Sequence, residues 1–210
     1  MKYYLSSYRL GDEENQEKFK QMTLSTNKKV AYIPNALDFA TDLEKKKNSE
    51  SRDIADLESI GLIPQKLDLQ EYFNRREDLQ KVLGTFDILF VRGGNTFVLR
   101  EAMSRSGFDS ILEEMITSNR NMIYAGYSAG ICVLQQDFEN LYLADDPTQR
   151  PYGTDQEAIT TGLGIIDYYL APHYQSDHFE SEVIGREVEL MKKKNMNFKA
   201  LRDGEVIIIE

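Results

Sequence analysis

Short apolar segments alternate along this chain with longer polar segments that carry apolar residues at helical spacing. Each apolar segment ends near turn-favouring residues and predicts a β-strand. The segments are KYYLSSY (2–8), KVAYIPN (29–35), IPQKLDL (63–69), DILFVRGGN (87–95), NMIYAGY (121–127) and IDYYLAPHY (166–174). This alternation predicts an α/β fold with a doubly wound, mostly parallel sheet and helices on both faces.

Two segments near the carboxyl end depart from that pattern. Residues 137–165 are polar and contain prolines and glycines, so they do not predict a simple strand–helix unit. The last segment, FKALRDGEVIIIE (198–210), predicts a terminal hairpin with an Asp-Gly turn. Because neither a repeat nor a linker is evident, the sequence predicts one domain over residues 1–210.

Composition and charge narrow the range of partners. The formal net charge is −10, which disfavours nucleic acid and acidic lipid surfaces. Cys132 is the one cysteine, so an intrachain disulfide is impossible and a reducing compartment is expected. The first residues lack the apolar centre of a signal peptide, and no apolar run approaches the ~18 residues of a membrane span. These features predict a cytoplasmic protein, and no cofactor is expected.

A glycine pair brackets a serine where the 121–127 segment ends. Gly126, Ser128 and Gly130 form G-x-S-x-G between a predicted strand and a predicted helix, the pattern of a nucleophile elbow. The tight turn would lift Ser128 above the edge of the sheet, in front of free helix N–H groups. The alternative is a tight turn in which Ser128 only caps the helix.

A serine nucleophile needs a base, and the chain has only two histidines, His173 and His178. His173 ends a predicted strand, so it is expected at the same carboxyl edge as Ser128. His178 is expected to be an ordinary polar surface residue. A metal site is not expected, since no cysteine accompanies the histidines and their spacing fits no helix face.

The glycines at 93–94 end another predicted strand. They would let the N–H of Gly94 approach a substrate oxygen and form an oxyanion hole with the N–H of Ala129. A plain strand–helix turn is the alternative. Three strand ends that meet at one edge favour catalysis.

Three ordered motifs, FVRGGNTFVL (90–99), IYAGYSAG (123–130) and LAPHY (170–174), resemble those of the peptidase E (dipeptidase E, aspartyl dipeptidase) family of serine peptidases. The resemblance implies a fold akin to the class I glutamine amidotransferases. It also implies that Ser128 is the nucleophile, that His173 is the general base, and that Gly94 and Ala129 provide the oxyanion N–H groups. The expected substrates are short peptides, including those with an amino-terminal aspartate.

Two positions depart from the family pattern. The family's acidic residue lies in the loop before the histidine strand, where this chain offers Asp146 or Asp145, and the position before Pro147 favours Asp146. Arg92 replaces a frequent glycine.

An acidic substrate needs a local cation, for which Arg92 and Arg150 are candidates, and Asn95 with Arg92 is expected to bind substrate. The alternatives to a peptidase are an esterase-type hydrolase and a non-catalytic small-molecule-binding protein of the same fold. A homodimer is possible.

Overall fold

The structure of the chain is a computed structural model that describes residues 1–118, 121–155 and 157–210. Its strands are β1 Lys2–Ser6, β2 Lys29–Ile33, β3 Ile63–Lys66, β4 Ile88–Val91, β5 Ile123–Tyr127, β6 Tyr169–Ala171, β7 Phe198–Ala200 and β8 Val206–Ile209. Its α-helices are α1 Glu13–Met22, α2 Leu43–Ser59, α3 Arg76–Leu83, α4 Thr96–Ser106, α5 Phe108–Thr117, α6 Ala129–Cys132 and α7 Ser181–Lys193. Single 3-10 turns lie at Asn35–Leu37 and Leu69–Tyr72.

Six strands form the main sheet in the order β3-β2-β4-β5-β1-β8. All neighbours in it are parallel except β1 and β8, which are antiparallel. The predicted mostly parallel α/β sheet is therefore confirmed. Every residue of β4 and β5 is buried, as expected for central strands covered on both faces.

Alternate residues of the central strands point to opposite faces of the main sheet, and each set packs into its own apolar layer. On β2, Val30 and Tyr32 pack on one face with Phe19 of α1 and Leu57 of α2. Residues of the opposite parity pack on the other face, against α3, α4, α5 and α6. Helices thus cover both faces, and the period-2 alternation of the strands produces the two layers.

The prediction of a terminal hairpin is wrong. Strand β7 pairs in parallel with β6 in a separate two-stranded sheet, whereas β8 pairs with β1 at the edge of the main sheet. The physical reason is that β1 would otherwise leave the backbone N–H and C=O groups of its outer edge without partners. The apolar strand β8 forms hydrogen bonds with those groups instead of pairing with β7. Residues 201–205 therefore connect the two sheets.

The small sheet carries the histidine region and packs on α7. Ala171 of β6 contacts the buried face of α7, which contains Ile184, Val188 and Met191. The polar region 137–165 crosses the surface with only one β-bridge among its described residues, between Asp137 and Thr161; Gln156 lies outside the described residues. No helix in the described ranges is long and apolar enough to cross a bilayer.

The two glycines around Ser128 are required by close packing against the end of β4. A Cβ atom at Gly126 would lie 2.6 Å from the carbonyl oxygen of Val91, and one at Gly130 would overlap the same oxygen. The turn between β5 and α6 can approach β4 only because both side chains are absent.

This packing predicts that Gly130→Ala destabilises the fold by about 1–3 kcal/mol or more, because the new methyl group has no space and its neighbour is backbone. A denaturant unfolding curve measures the change. Gly185→Ala is the matched control: a Cβ atom there meets no atom within 4 Å in the middle of α7. It should stabilise the protein by about 0.5–1 kcal/mol, and equal effects of the two changes would contradict the packing argument.

Candidate active site

Ser128 stands at the carboxyl end of β5 in a strained backbone conformation. Its φ of 50° and ψ of −121° are values that a residue with a side chain rarely adopts. Gly93 lies directly beside it, since a Cβ atom on Gly93 would be 2.8 Å from Ser128 Cβ. Such strain persists only where the surroundings enforce it, and it is typical of functional sites.

A cavity of about 530 Å³ opens beside Ser128. Residues that follow the carboxyl ends of four parallel strands line it, namely Tyr8, Leu37, Gly93, Gly94 and Ser128. His173 and His178 line the same cavity from the loop after β6. The fold thus brings Ser128, Gly94 and His173 to one space, as expected for an α/β sheet.

Neither the backbone N–H of Gly94, a lining residue with a φ of 146°, nor that of Ala129, which follows Ser128 and begins α6, has an acceptor within the described part of the chain. A substrate oxygen could therefore accept hydrogen bonds there.

His173 is held through both its backbone and its ring. Its side chain is 2% exposed, and its backbone N–H donates to Ser7 Oγ over 2.8 Å. The ring Nδ1 lies 2.7 Å from Asp203 Oδ1, which also accepts a hydrogen bond from Ser7 Oγ over 2.9 Å. Burial opposes ionisation of Asp203, but its contacts with His173 and Ser7 prevail and lower the pKa of the carboxyl group. An ionised Asp203 places the ring proton on Nδ1 and leaves Nε2 free to accept a proton.

The acidic neighbour of His173 thus differs from the sequence-based choice. The carboxylate of Asp146 is exposed and accepts hydrogen bonds from the N–H and hydroxyl of Thr148, which lower its pKa. The carboxylate of Asp145 accepts the N–H of Thr96 over 2.8 Å at the start of α4. Neither reaches His173 Nδ1, because the loop 141–150 is bound to α4 and turns both side chains elsewhere.

Sequence reasoning missed Asp203 because the Asp-Gly pair was interpreted as a hairpin turn. The signal that could have identified Asp203 is its position just after the carboxyl end of β7, between two predicted strands. Ser7 carried no signal beyond its place after β1. The proximity of Asp203 and Ser7 to His173 becomes apparent only when β7 and β8 are placed in different sheets.

His178 is not the ordinary polar surface residue that was expected. Its ring stacks on that of His173 with centroids 3.7 Å apart and planes 8° apart, and its side chain is 12% exposed. Glu180 Oε2 lies 3.8 Å from His173 Nε2 and 3.6 Å from His178 Nδ1.

The side chains of His173, His178 and Glu180 each have a potential metal-ligand atom, and these atoms lie within 4.8 Å of one another. Two parallel rings in a stack cannot both aim their in-plane lone pairs at one ion. His178 Nδ1 also already accepts the N–H of Glu180. The arrangement does not match the ligand geometry of a zinc centre.

The predicted substrate-binding residues have different environments. Asn95 is buried and uses its whole amide: Oδ1 accepts the N–H groups of Phe97 and Val98, and Nδ2 donates to Asp146 O and Gln149 Oε1. It therefore caps α4 and anchors the loop, with no free donor for a substrate. Arg150 pairs with Glu101 and does not line the cavity.

Arg92 does line the cavity, on a wall that α2 completes. Arg92 and Arg52 share one buried carboxylate, that of Asp53, at 3.4 and 3.3 Å. The Nη1 atom of Arg92 is buried without an acceptor in the described structure. Lys45, also on this wall, is exposed and has no ion-pair partner in the described ranges. This wall therefore carries an excess of positive charge in a protein whose net charge is negative.

Comparison with known proteins identifies the family of this chain. The sequence profile of peptidase family S51 matches residues 5–210. The chain belongs to peptidase family S51. It is 26% identical over 156 residues to an uncharacterized peptidase of Listeria innocua, covering 73% of this chain and 68% of the relative. It is 29% identical over 93 residues to an uncharacterized peptidase of Pasteurella multocida, covering 44% of this chain and 42% of the relative.

Two solved structures share the fold. One is a candidate peptidase E protein from Listeria monocytogenes, with a TM-score of 0.70 and 22% identity, covering 100% of this chain and 98% of the other. The other is a peptidase from an acI-B1 actinobacterium, with a TM-score of 0.68 and 14% identity, covering 100% and 83%. Membership of family S51 makes the chain a peptidase, which agrees with the predicted class of enzyme.

In this S51 peptidase the loop 141–150 is also held from the side of α7. Glu187 is 1% exposed, and its Oε1 accepts the N–H groups of Leu143 and Ala144 over 3.2 and 3.0 Å. Burial raises the pKa of Glu187 to about 8 and that of Asp145 to about 7. Ionising either group in the folded protein is therefore unfavourable.

These pKa values predict how stability depends on pH. The folded state holds the two protons to higher pH than the unfolded state, so the free energy of unfolding should fall as pH rises from about 5 to about 8. Glu187→Gln removes one of these protons and should make the decline shallower, as measured by urea unfolding at several pH values. Glu189→Gln, on the exposed face of α7, should leave the slope unchanged. A wild-type stability that rises over this range would contradict the assignment.

Proposed function

We propose that this S51 member is a serine peptidase that hydrolyses short peptides through an acyl-enzyme. Ser128 is the nucleophile, His173 the general base and then the general acid, and Asp203 the residue that orients His173. The observation that carries the proposal is that a strained Ser128 shares one cavity with a histidine whose Nδ1 lies 2.7 Å from a carboxylate. The sequence-based choice of Asp146 or Asp145 is replaced by Asp203.

The first step is attack on the peptide carbonyl carbon. His173 Nε2 takes the proton of the Ser128 hydroxyl while the oxygen forms the new bond, and Asp203 stabilises the imidazolium through Nδ1–H. The carbonyl oxygen becomes an oxyanion that accepts hydrogen bonds from the N–H groups of Gly94 and Ala129. Each such donor contributes about 2.7–4 kcal/mol in related sites.

The imidazolium then protonates the leaving amine, and the acyl group stays on Ser128. Water enters, gives a proton to His173 and attacks the ester carbon. The imidazolium then returns that proton to the Ser128 oxygen as the ester bond breaks, which releases the acid product and restores both the serine hydroxyl and the neutral histidine. Apart from the attacking water, His173 and Ser128 carry every proton transfer of the cycle.

Size and charge of the cavity favour a short, acidic peptide. A volume of about 530 Å³ suits a few residues rather than an extended chain. The positive wall formed by Arg52, Arg92 and Lys45 would bind a carboxylate of the substrate, such as the side chain of an amino-terminal aspartate.

Variants of the three proposed residues test the mechanism. Ser128→Ala should lower kcat/KM on a dipeptide and tripeptide library about 10³-fold or more. Asp203→Asn should lower it roughly 10²- to 10⁴-fold because the amide no longer fixes the tautomer of His173. Asp146→Asn should have little effect. Product release is followed by mass spectrometry.

A fluorophosphonate probe gives an independent readout, since it should label the wild-type protein and not Ser128→Ala. Equal labelling of both, or turnover of a nitrophenyl ester without any peptide cleavage, would overturn the proposal. A larger effect of Asp146→Asn than of Asp203→Asn would overturn the choice of acidic residue.

The positive wall has its own test. Arg92→Gln should lower kcat/KM for Asp-Leu about 10- to 100-fold relative to Asn-Leu, because a charge-assisted hydrogen bond is lost. The ratio of the two substrates separates specificity from partial unfolding. Lys47→Gln, on an exposed position of α2 outside the cavity, is the control. An unchanged ratio in Arg92→Gln would exclude Arg92 as the binding residue.

A further inference from the structure

Three aromatic rings surround His178, and one of them, that of His173, is stacked on it. Its inner face contacts the ring of His173 at a centroid distance of 3.7 Å, and Phe179 lies 4.6 Å from it. Tyr8 meets both imidazoles edge-on, at 5.6 Å from His173 and 5.3 Å from His178. His173 is therefore held in its plane by Asp203 and on one face by His178, and Tyr8 makes a further T-shaped contact with it.

The two imidazoles have opposite hydrogen-bonding patterns. His173 Nδ1 faces the carboxylate of Asp203 and carries a proton, whereas His178 Nδ1 accepts the N–H of Glu180 over 3.3 Å and carries none. The neutral His178 ring thus has its proton on Nε2. Burial and the neighbouring His173 lower the pKa of His178 to about 4, which keeps the ring neutral at physiological pH.

We propose that His178 is a positioning residue for His173: its neutral ring, stacked on the base, holds that base in line with Asp203 and lies against the positive charge that His173 takes up during acyl transfer. This inference rests on the proposed function of His173. A neutral aromatic face attracts a cation, whereas a second charged ring at this distance would repel it.

Other charged or titratable groups surround the pair, and none of them stacks on the ring of His173. They are Asp203 after β7, Glu180 before α7, Asp145 in the loop 141–150, Tyr8 after β1, and Arg52 of α2, whose guanidinium lies over the ring of Tyr8. Among the described residues, His178 is the one whose ring stacks face to face on His173.

Nuclear magnetic resonance of the histidine side chains tests the stack directly. The chain has 2 histidines, so ¹⁵N-histidine labelling gives two sets of ring signals, and His178→Phe assigns them. We expect the neutral ring of His173 to carry its proton on Nδ1. His178 should keep a neutral Nε2–H tautomer from about pH 5 to about pH 8. One shared tautomer, or a His178 ring that becomes charged within that range, would overturn the proposal.

Kinetics of three variants test the positioning role. His178→Ala should lower kcat about 10- to 100-fold with little change in KM, because the ring of the base is no longer fixed. His178→Phe keeps a neutral ring and should recover most of that loss. Asp177→Asn, exposed in the same loop, is the matched control. Circular dichroism and thermal melts confirm that each variant is folded.

The outcomes separate this inference from the proposed function. Full activity in Ser128→Ala would overturn the proposed serine mechanism, regardless of which tautomers the nuclear magnetic resonance spectra show for the two histidines. An inactive Ser128→Ala together with a fully active His178→Ala would remove only the positioning role. A folded His178→Phe that is as impaired as His178→Ala would also overturn it, because ring stacking would then not be the cause.

Discussion

One junction of hydrogen bonds joins the two sheets of this S51 peptidase, and the site depends on it. Ser7, after the first strand of the main sheet, accepts the backbone N–H of His173 and donates to Asp203. Asp203 in turn binds the ring of His173. Because His173 and Asp203 come from the small sheet and the turn after it, this junction sets where the proposed base lies relative to Ser128.

A second constraint is the close approach of β4 and β5 where they end. The carbonyl oxygen of Val91 occupies the space that side chains at Gly126 and Gly130 would need. This contact forces the turn that holds Ser128 in its strained conformation. The serine and the histidine are therefore fixed by two different mechanisms, backbone packing for one and a polar network for the other.

Charge is distributed unevenly around the cavity. Arg52 and Arg92 share one buried carboxylate on the α2 side, whereas Asp145 and Glu180 line the cavity near His173. Burial raises the pKa of both of those acids, so the protein limits negative charge beside the proposed nucleophile. A basic wall can thus persist in a chain with a net charge of −10.

The sequence by itself determined the strand–helix alternation, the mostly parallel sheet and the turn around Ser128, because period-2 burial and glycine spacing are local signals. It also placed Gly94 and His173 at strand ends that meet at one edge. Only the tertiary structure decided that β7 and β8 belong to different sheets, that Asp203 rather than Asp146 meets His173, and that His178 stacks on it. These contacts join residues whose pairing depends on long-range packing, and an Asp-Gly pair has the same local preference in a hairpin turn as in a link between two sheets.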